Sequence, residues 1–257
     1  MIAELHGKIS SSGSNLSDRL EDKLTGDVFG ALRYLPFQLG MAQILKAAGI
    51  PSLTECVNAS NISFWGDRIE FWPYHELGEI DAFLSLDNAV VGIEVKYLSG
   101  LSSDDDVDNS AAVDTEAVMK ESRNQLSRES RIVKDWATGN RKAYLVFIAA
   151  ESACAPICQN AKERQVIASG VELSYVSWEE ILTQLSTIVA EDPYRQQVLD
   201  DAVSLLKRKQ FERFNGFDLG DAAAVDPNAY FFFETAKKAF SFECGEYVDG
   251  GIFYEYR

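Results

Sequence analysis

Residues 78–97 have the sequence GEIDAFLSLDNAVVGIEVKY, and we predict that this stretch forms the centre of the fold. The runs at 80–86 and 89–97 are rich in apolar and β-branched residues and are typical of strands. Between them stand Asp87 and Asn88, which tolerate the backbone angles of a tight hairpin turn. If these two residues form the turn, the residue numbers of opposed strand positions sum to 175. The sequence therefore predicts an antiparallel hairpin with a defined register.

That register places three charged side chains on one face at the open end of the hairpin. Asp81 lies opposite Glu94, and directly opposed residues share a face with their Cβ atoms about 4.5–5.5 Å apart. Lys96 is two residues beyond Glu94 and points to the same face, whereas Ile93 and Val95 point to the other. The sequence thus predicts two carboxylates and one ammonium group side by side.

Two opposed carboxylates repel each other, and a cation between them removes the repulsion. Mg²⁺ or Mn²⁺ suits this place, because such hard cations bind carboxylate oxygens and retain several waters. A bound ion can activate a water for in-line displacement at phosphorus, and Lys96 can orient that water or neutralise charge in the transition state. The pattern favours phosphodiester hydrolysis. The alternative is that Asp81, Glu94 and Lys96 are solvated charges on an exposed sheet face.

The same stretch resembles the active-site hairpin of the PD-(D/E)xK nuclease superfamily. The residues that carry the resemblance are GEID at 78–81 and IEVKY at 93–97, and the resemblance covers roughly residues 15–180. It implies a restriction-endonuclease-like fold, an α/β architecture with an αβββαβ core and a mixed central sheet flanked by helices. Ile80 stands where the motif of the superfamily has proline, a position at which many members vary.

The resemblance also implies roles for the hairpin residues. Asp81 and Glu94 are expected to bind the metal, and Lys96 is expected to be the catalytic lysine. The implied function is a Mg²⁺-dependent (or Mn²⁺-dependent) nuclease. DNA is the expected substrate, and restriction, repair or phage defence is the expected setting.

A further metal ligand is expected from the first helix, which the sequence predicts to begin near Ser17. In the resembling family that helix often supplies an additional acidic residue, and Glu21 is the candidate because its apolar neighbours press that flank onto the sheet. Asp27 is the fallback. The alternative is that Glu21 only stabilises the helix N-terminus electrostatically.

Two side chains are candidates for a supporting role. Some branches of the superfamily offer a Gln from the helix after the Glu-x-Lys strand, and Gln125 lies on such a predicted helix. Those branches have Tyr four residues later, where this chain has Glu129. Glu79 is the second candidate, because it shares the face of Asp81 on the predicted strand.

The net charge of −16 opposes binding to nucleic acid unless the positive charges are concentrated in one place. The segment 120–142 is rich in Lys and Arg, and Arg123, Arg128 and Arg131 are the predicted nucleic-acid contacts. The alternative is an ordinary solvated helix face. The acidic balance also leaves open a second function, a binding or regulatory protein built on a nuclease fold. Such a protein would be inactive alone and would work through a protein partner or a homo-oligomer.

Composition argues against several other classes of protein. Hydrophobic residues make up 46% of the 257 residues, which is ordinary for a globular protein. No stretch approaches the ~18 apolar residues of a membrane span, and the segment 1–17 lacks the features of a secretory signal. The four cysteines are scattered and are predicted to be reduced thiols of a cytoplasmic protein.

The pattern of apolar residues predicts alternating helices and strands. Outside the hairpin, helices are predicted at 17–35, 37–48, 115–137, 161–169, from 177 and at 193–210, and strands at 61–74, 142–149 and 171–176. This order predicts an α/β fold with a mixed sheet. The predicted domains are a flexible arm (1–14), a nuclease-like core (15–190) and a C-terminal extension packed on the core (191–257). The aromatic residues after 211 are interpreted as packing, with base stacking as the alternative.

Overall fold

A computed structural model describes residues 16–97, 101 and 124–213, with side chains from Leu20 onward. The described residues belong to one compact unit that extends to Arg213. The predicted arm at 1–14 and the aromatic segment after 213 lie outside them.

A five-stranded mixed sheet forms the centre of this unit. The strands of the described residues are β1 (Ile69–Phe71), β2 (Tyr74–His75), β3 (Gly78–Glu79), β4 (Ala82–Ser85), β5 (Ala89–Val95), β6 (Lys142–Ala149) and β7 (Val171–Ser177). The central sheet has the order β1-β4-β5-β6-β7, and β2 pairs with β3 in a separate ribbon. β4 is antiparallel to β1 and β5, whereas β5, β6 and β7 run parallel.

Helices cover both faces of the central sheet. They are α1 (Leu16–Leu32), α2 (Met41–Ala47), α3 (Pro51–Ala59), α4 (Gln125–Trp136), α5 (Glu151–Glu163), α6 (Trp178–Ser186) and α7 (Pro193–Arg208). Apolar side chains of α1, α2, α3, α6 and α7 pack on one face, and those of α4 and α5 pack on the other. β5 is therefore buried along its whole length, as expected for a central strand between two helical layers. None of the described helices is long and apolar enough to cross a membrane.

Most of the predicted elements are confirmed, including the α/β class with a mixed sheet. The strand predicted at 142–149 is β6, and the strand predicted at 171–176 is β7. Ser177 caps α6, since its side chain accepts a hydrogen bond from the backbone N–H of Glu180. The helix predicted at 193–210 is α7, which lies in the predicted C-terminal extension and packs against α1 and α6.

Three predictions in the first half of the chain were wrong in detail. The helix predicted at 37–48 is divided at Gly40, where a short 3₁₀ turn at Phe37–Leu39 gives way to α2. No helix was predicted at 51–59, where α3 begins at Pro51, because proline has the right φ angle for the first turn of a helix. The strand predicted at 61–74 is reduced to β1 and β2, since Trp65 turns inward and its indole N–H donates to the Leu35 carbonyl.

Two helix predictions in the second half also need correction. The helix predicted at 161–169 is instead α5, whose buried positions Cys154, Cys158 and Ala161 follow helical spacing around an internal Pro156. Proline is unfavourable inside helices, so its presence obscured this one. The helix predicted at 115–137 is described only in its second part, which is α4. Residues 115–123 are not among the described residues.

Candidate metal centre

β4 and β5 pair in the predicted register, with Ala82 opposite Ile93. Asp81 comes immediately before β4, and its Oδ2 accepts a hydrogen bond from the Val95 N–H across the hairpin at 2.7 Å. Glu94 is the next-to-last residue of β5. The hairpin therefore brings the two predicted carboxylates to the same end of the sheet.

A third carboxylate reaches this place from the first helix. Glu21, Asp81 and Glu94 each offer one oxygen, and these oxygens all lie within 4.8 Å of one another. Oxygens bound to one Mg²⁺ at about 2.0–2.1 Å are at most about 4.2 Å apart. Small side-chain movements would therefore bring all three onto one cation. Among the residues that the structure describes, no other group of three acidic, His or Cys side chains is arranged to hold a metal ion.

Lys96 sits against two of the three carboxylates. Its Nζ lies 2.8 Å from Glu21 Oε1 and 2.7 Å from Glu94 Oε1, and the residue is only 5% exposed. Burial alone would lower the pKa of Lys96, but the charges of Glu94 and Glu21 outweigh it and raise that pKa above its usual range. The Lys96 side chain is therefore a charged ammonium group at neutral pH.

The backbone around Lys96 fixes this arrangement. The Lys96 carbonyl accepts a hydrogen bond from the indole N–H of Trp178 at 2.9 Å, and its N–H donates to the Ile148 carbonyl of β6 at 2.7 Å. The next backbone N–H, that of Tyr97, donates to Glu21 Oε2 at 3.1 Å. Glu21 is thus held by a side chain and by the backbone of the strand end.

The carboxylates of this centre are electrostatically unfavourable. Burial raises the pKa of Asp81 well above its usual range, and the charge of Glu94 raises it further against the opposing effect of Lys96. Burial likewise raises the pKa of Glu94, and the nearby Glu129 adds to this effect while Lys96 opposes it. Such groups favour either a proton or a bound cation.

Two polar side chains of helix α4 lie against Glu94. The side-chain amide of Gln125 donates a short hydrogen bond to Glu94 Oε1. Glu129, one turn later, is 2% exposed and lies against Glu94. Burial raises the pKa of Glu129 to about 8; its hydrogen bond with Glu94 opposes the shift, and the charge of Asp81 adds to it.

Gly92 explains why α4 can come so close to the sheet. A Cβ atom at this position would lie 2.3 Å from Val133 Cγ2 and 2.6 Å from Ile80 Cδ1. The missing side chain therefore lets α4 rest almost directly on β5. This contact sets the distance from Gln125 and Glu129 to Glu94, which is two residues from Gly92 on the same face.

Two further predicted acidic residues are not members of the carboxylate group. Glu79 is exposed in β3, opposite Tyr74, and is not one of the three grouped carboxylates. Asp27, the fallback for Glu21, pairs instead with Lys23 at 2.7 Å. Neither residue therefore belongs to the candidate ligand group.

The predicted nucleic-acid contacts are described in part. Arg128 and Arg131 are half-buried neighbours on α4, and burial together with the charge of Arg128 lowers the pKa of Arg131. Arg131 Nε donates to the Ser127 carbonyl at 3.4 Å. Arg123 lies outside the described residues.

The sequence did not predict a role for Glu129 or Trp178. A signal for Glu129 was present, since it follows Gln125 by four residues and shares its helix face. Trp178 was interpreted only as part of the next helix start. Its hydrogen bond to Lys96 spans 82 residues of chain, and no local pattern indicates a contact of that kind.

Comparison of the chain with protein-family models, with curated proteins and with solved structures found no match. The geometry and chemistry of this centre therefore carry the functional inference.

Proposed function

We propose that this protein is a divalent-cation-dependent nuclease with a PD-(D/E)xK-type active site on a restriction-endonuclease-like fold. One observation carries the proposal: oxygens of Glu21, Asp81 and Glu94 lie within 4.8 Å of one another, with the Lys96 ammonium against two of these side chains. The mutual repulsion of three carboxylates in a largely buried place costs stability, and the single ammonium group of Lys96 offsets it only in part. A bound cation would offset the rest.

The residues of the centre fit the ion that the proposal requires. Glu21, Asp81 and Glu94 would hold Mg²⁺ or Mn²⁺, whose preferred ligands are carboxylate oxygens. When bound, such an ion would polarise a phosphodiester group and lower the pKa of a coordinated water.

Lys96 would act as a fixed positive charge in this site. Its neighbouring carboxylates keep it protonated, so it is suited to neutralising charge on a phosphate or to orienting a water. It is not suited to accepting a proton. Gln125 would keep Glu94 in place through its amide hydrogen bond.

The proposed substrate is nucleic acid, with DNA expected first. Arg128 and Arg131 lie on the helix that also carries Gln125, and such side chains are suited to contacting phosphates. Local positive charge of this kind is needed in a chain with a net charge of −16.

The decisive experiment is a cleavage assay on single- and double-stranded DNA and RNA, with Mg²⁺ or Mn²⁺ compared with EDTA. We expect cation-dependent cleavage that Lys96→Ala reduces by about 10²–10³-fold, the effect of losing one electrostatic contact in an active site. Lys162→Ala is the matched control, because Lys162 is an exposed lysine on α5. Cleavage by Lys96→Ala at the wild-type rate would refute the catalytic role proposed for Lys96.

The net charge favours one alternative function, a nuclease-fold protein that is inactive alone and acts through a protein partner. Oligonucleotide binding at low salt separates the two proposals. An isolated nuclease should bind with an affinity that falls steeply as salt increases, because phosphate contacts release counterions. Wild-type protein that neither binds nor cleaves any of the four substrates would favour the partner-dependent function.

A further inference from the structure

The end of α7 lies beside the end of β5, next to Lys96. Phe211, which follows α7, is buried and stacks on Trp178 with the ring centroids 5.7 Å apart. Its ring also packs edge to face against Tyr97, at a centroid distance of 5.8 Å. Trp178 in turn donates its indole N–H to the Lys96 carbonyl. These contacts hold the end of α7 in a fixed position relative to the candidate metal centre.

Lys209 brings a positive charge to this place. It follows Leu199, Ala202 and Leu206, the buried residues of α7, and continues their helical spacing. A lysine at such a position packs its apolar stem against the protein and keeps its ammonium group at the surface. Here the Lys209 ammonium lies over the Tyr97 ring, 4.7 Å from the ring centroid. It therefore lies beside the strand end that carries the proposed catalytic lysine.

Basic residues at the end of a helix often serve only to offset the helix dipole. Lys207 and Arg208 fit that description, because both are exposed in the last turn of α7 and Lys207 also lies 3.5 Å from Glu212. Arg213 pairs with two acidic side chains. Lys209 differs from all three, since it is half-buried on the inner side of the helix end and forms no ion pair with any of the described residues.

The position of Lys209 complements the positive charge of α4. Side chains of α7 pack on one face of the central sheet, and those of α4 pack on the other. Arg128 lies one turn after Gln125, whose amide reaches Glu94 near the end of β5. Positive charge therefore lies on both sides of the candidate metal centre. Such an arrangement suits a polyanion, and each strand of duplex DNA carries one negative charge per about 3.4 Å of helix axis.

We propose that Lys209 binds a backbone phosphate of the nucleic acid, so that a strand crosses the end of β5 between α4 and the end of α7. The inference rests on the proposed function in taking nucleic acid as the substrate. It adds a contact from the segment that follows the predicted nuclease-like core. A lysine suits this task, because its ammonium group is a mobile point charge that binds phosphate.

The test is the salt dependence of oligonucleotide binding, measured by fluorescence anisotropy in EDTA to prevent cation-dependent cleavage. The probes are a labelled single-stranded DNA and the same DNA as a duplex. For Lys209→Gln we expect the slope of log K against log salt to become less negative by about 0.7 for the single strand and about 0.9 for the duplex, as for one lost phosphate contact. Lys209→Arg keeps the charge and should keep the wild-type slope.

Lys162→Gln is the matched control. Lys162 is an exposed lysine in the last turn of α5, and its substitution changes the net charge by the same amount. α5 connects the end of β6 to the start of β7, and these parallel strands place the two points at opposite edges of the sheet. Lys162 therefore lies at the edge away from the candidate metal centre. We expect Lys162→Gln to have the wild-type slope.

Two results would overturn the inference. A wild-type slope in Lys209→Gln would mean that Lys209 makes no phosphate contact. An equal change of slope in Lys209→Gln and Lys162→Gln would mean that only the net charge matters. The slope is the discriminating measurement, because a purely structural role of Lys209 would change the free energy of unfolding and leave the slope as it is.

The binding experiment also separates this inference from the nuclease proposal. Binding that depends on Lys209, without cleavage in the presence of any cation, would refute the nuclease proposal and support the contact at Lys209. Cleavage that depends on Lys96, together with an unchanged slope in Lys209→Gln, would do the reverse. Wild-type protein that binds neither probe would overturn the inference.

Discussion

Gly92→Ala should loosen the contact between α4 and β5 on which the candidate metal centre depends. The added Cβ would lie 2.3 Å from Val133 Cγ2, whereas ordinary carbon contacts are about 3.5–4.0 Å. Val133 is β-branched and stiff within its helix, so it cannot rotate away easily. We therefore expect α4 to shift outward by about 1 Å or more, because the contact is short by at least that distance.

The size of the effect follows from this overlap. Extra carbon in a packed core costs about 1–3 kcal/mol of unfolding free energy. A shift of about 1 Å would also lengthen the short hydrogen bond between Gln125 and Glu94 beyond the usual limit of about 3.2 Å. Gly92→Ala should thus lose both stability and Mn²⁺ affinity, although residue 92 is not a ligand.

Urea unfolding, followed by tryptophan fluorescence, measures the stability, and a second substitution shows where the strain lies. Val133→Ala alone removes two buried methyl groups and should cost about 1.6 kcal/mol. In the double variant the new methyl group fills the space that Val133 has left. We expect the double variant to be at least about 1 kcal/mol more stable than the sum of the single effects, since contacting residues couple. Its Mn²⁺ affinity should recover in part.

Two results would refute this reasoning. A Gly92→Ala protein with wild-type unfolding free energy and Mn²⁺ affinity would mean that α4 does not rest on β5 as described. Purely additive effects in the double variant would mean that Val133 is not the group that the new methyl meets.

Three shorter predictions concern charge and burial. Asp81→Asn keeps an oxygen that can accept the Val95 N–H, and it removes the repulsion with Glu94. Without metal, its melting temperature in scanning fluorimetry should therefore be higher than that of wild type. Calorimetry should show at least tenfold weaker Mn²⁺ binding. Burial raises the pKa of Glu129 to about 8 from about 4.3 when unfolded, so the native state retains a proton that the unfolded state loses. Metal-free stability should therefore fall as pH rises between these values, with Glu129 contributing up to about 1.4 kcal/mol per pH unit. Because Asp81 and Glu94 contribute in the same direction, urea titrations of Glu129→Gln should show a smaller slope than wild type. Burial also raises the pKa of Cys154 to about 11 and that of Cys158 to about 12. Both thiols should therefore resist a disulfide reagent at pH 8 until urea is added. Detection of either adduct in the native protein by mass spectrometry would contradict this prediction.

The hairpin could be predicted because its geometry is local. A two-residue turn at Asp87 and Asn88 defines which residues face each other, and strand alternation then defines their faces. The predicted pairing of Ala82 with Ile93 is confirmed by the observed ladder. The position of Asp81 and Glu94 at the same end of the sheet follows from that register without further information.

Contacts between distant segments could not be predicted in the same way. The salt bridge between Lys96 and Glu21 joins positions 75 residues apart, and its formation depends on how α1 packs on the sheet. Glu21 was a candidate through a family resemblance and the apolar flank of its helix, whereas the spacing of the two residues carries no signal. Glu129 was noted only as a departure from a pattern, because a buried acid and an exposed acid look alike in a sequence.

The stability of the fold gives no reason for the centre to exist. Replacing a buried charged group and its partners by well-packed apolar residues is often neutral or stabilising by about 1–4 kcal/mol. Here three grouped carboxylates and Glu129 surround one lysine, and burial raises the pKa of Asp81, Glu94 and Glu129. Protein regions that break the rules of core packing in this way are expected at functional sites. The unfavourable electrostatics of this centre are therefore typical of a functional site, independently of any resemblance to known nucleases.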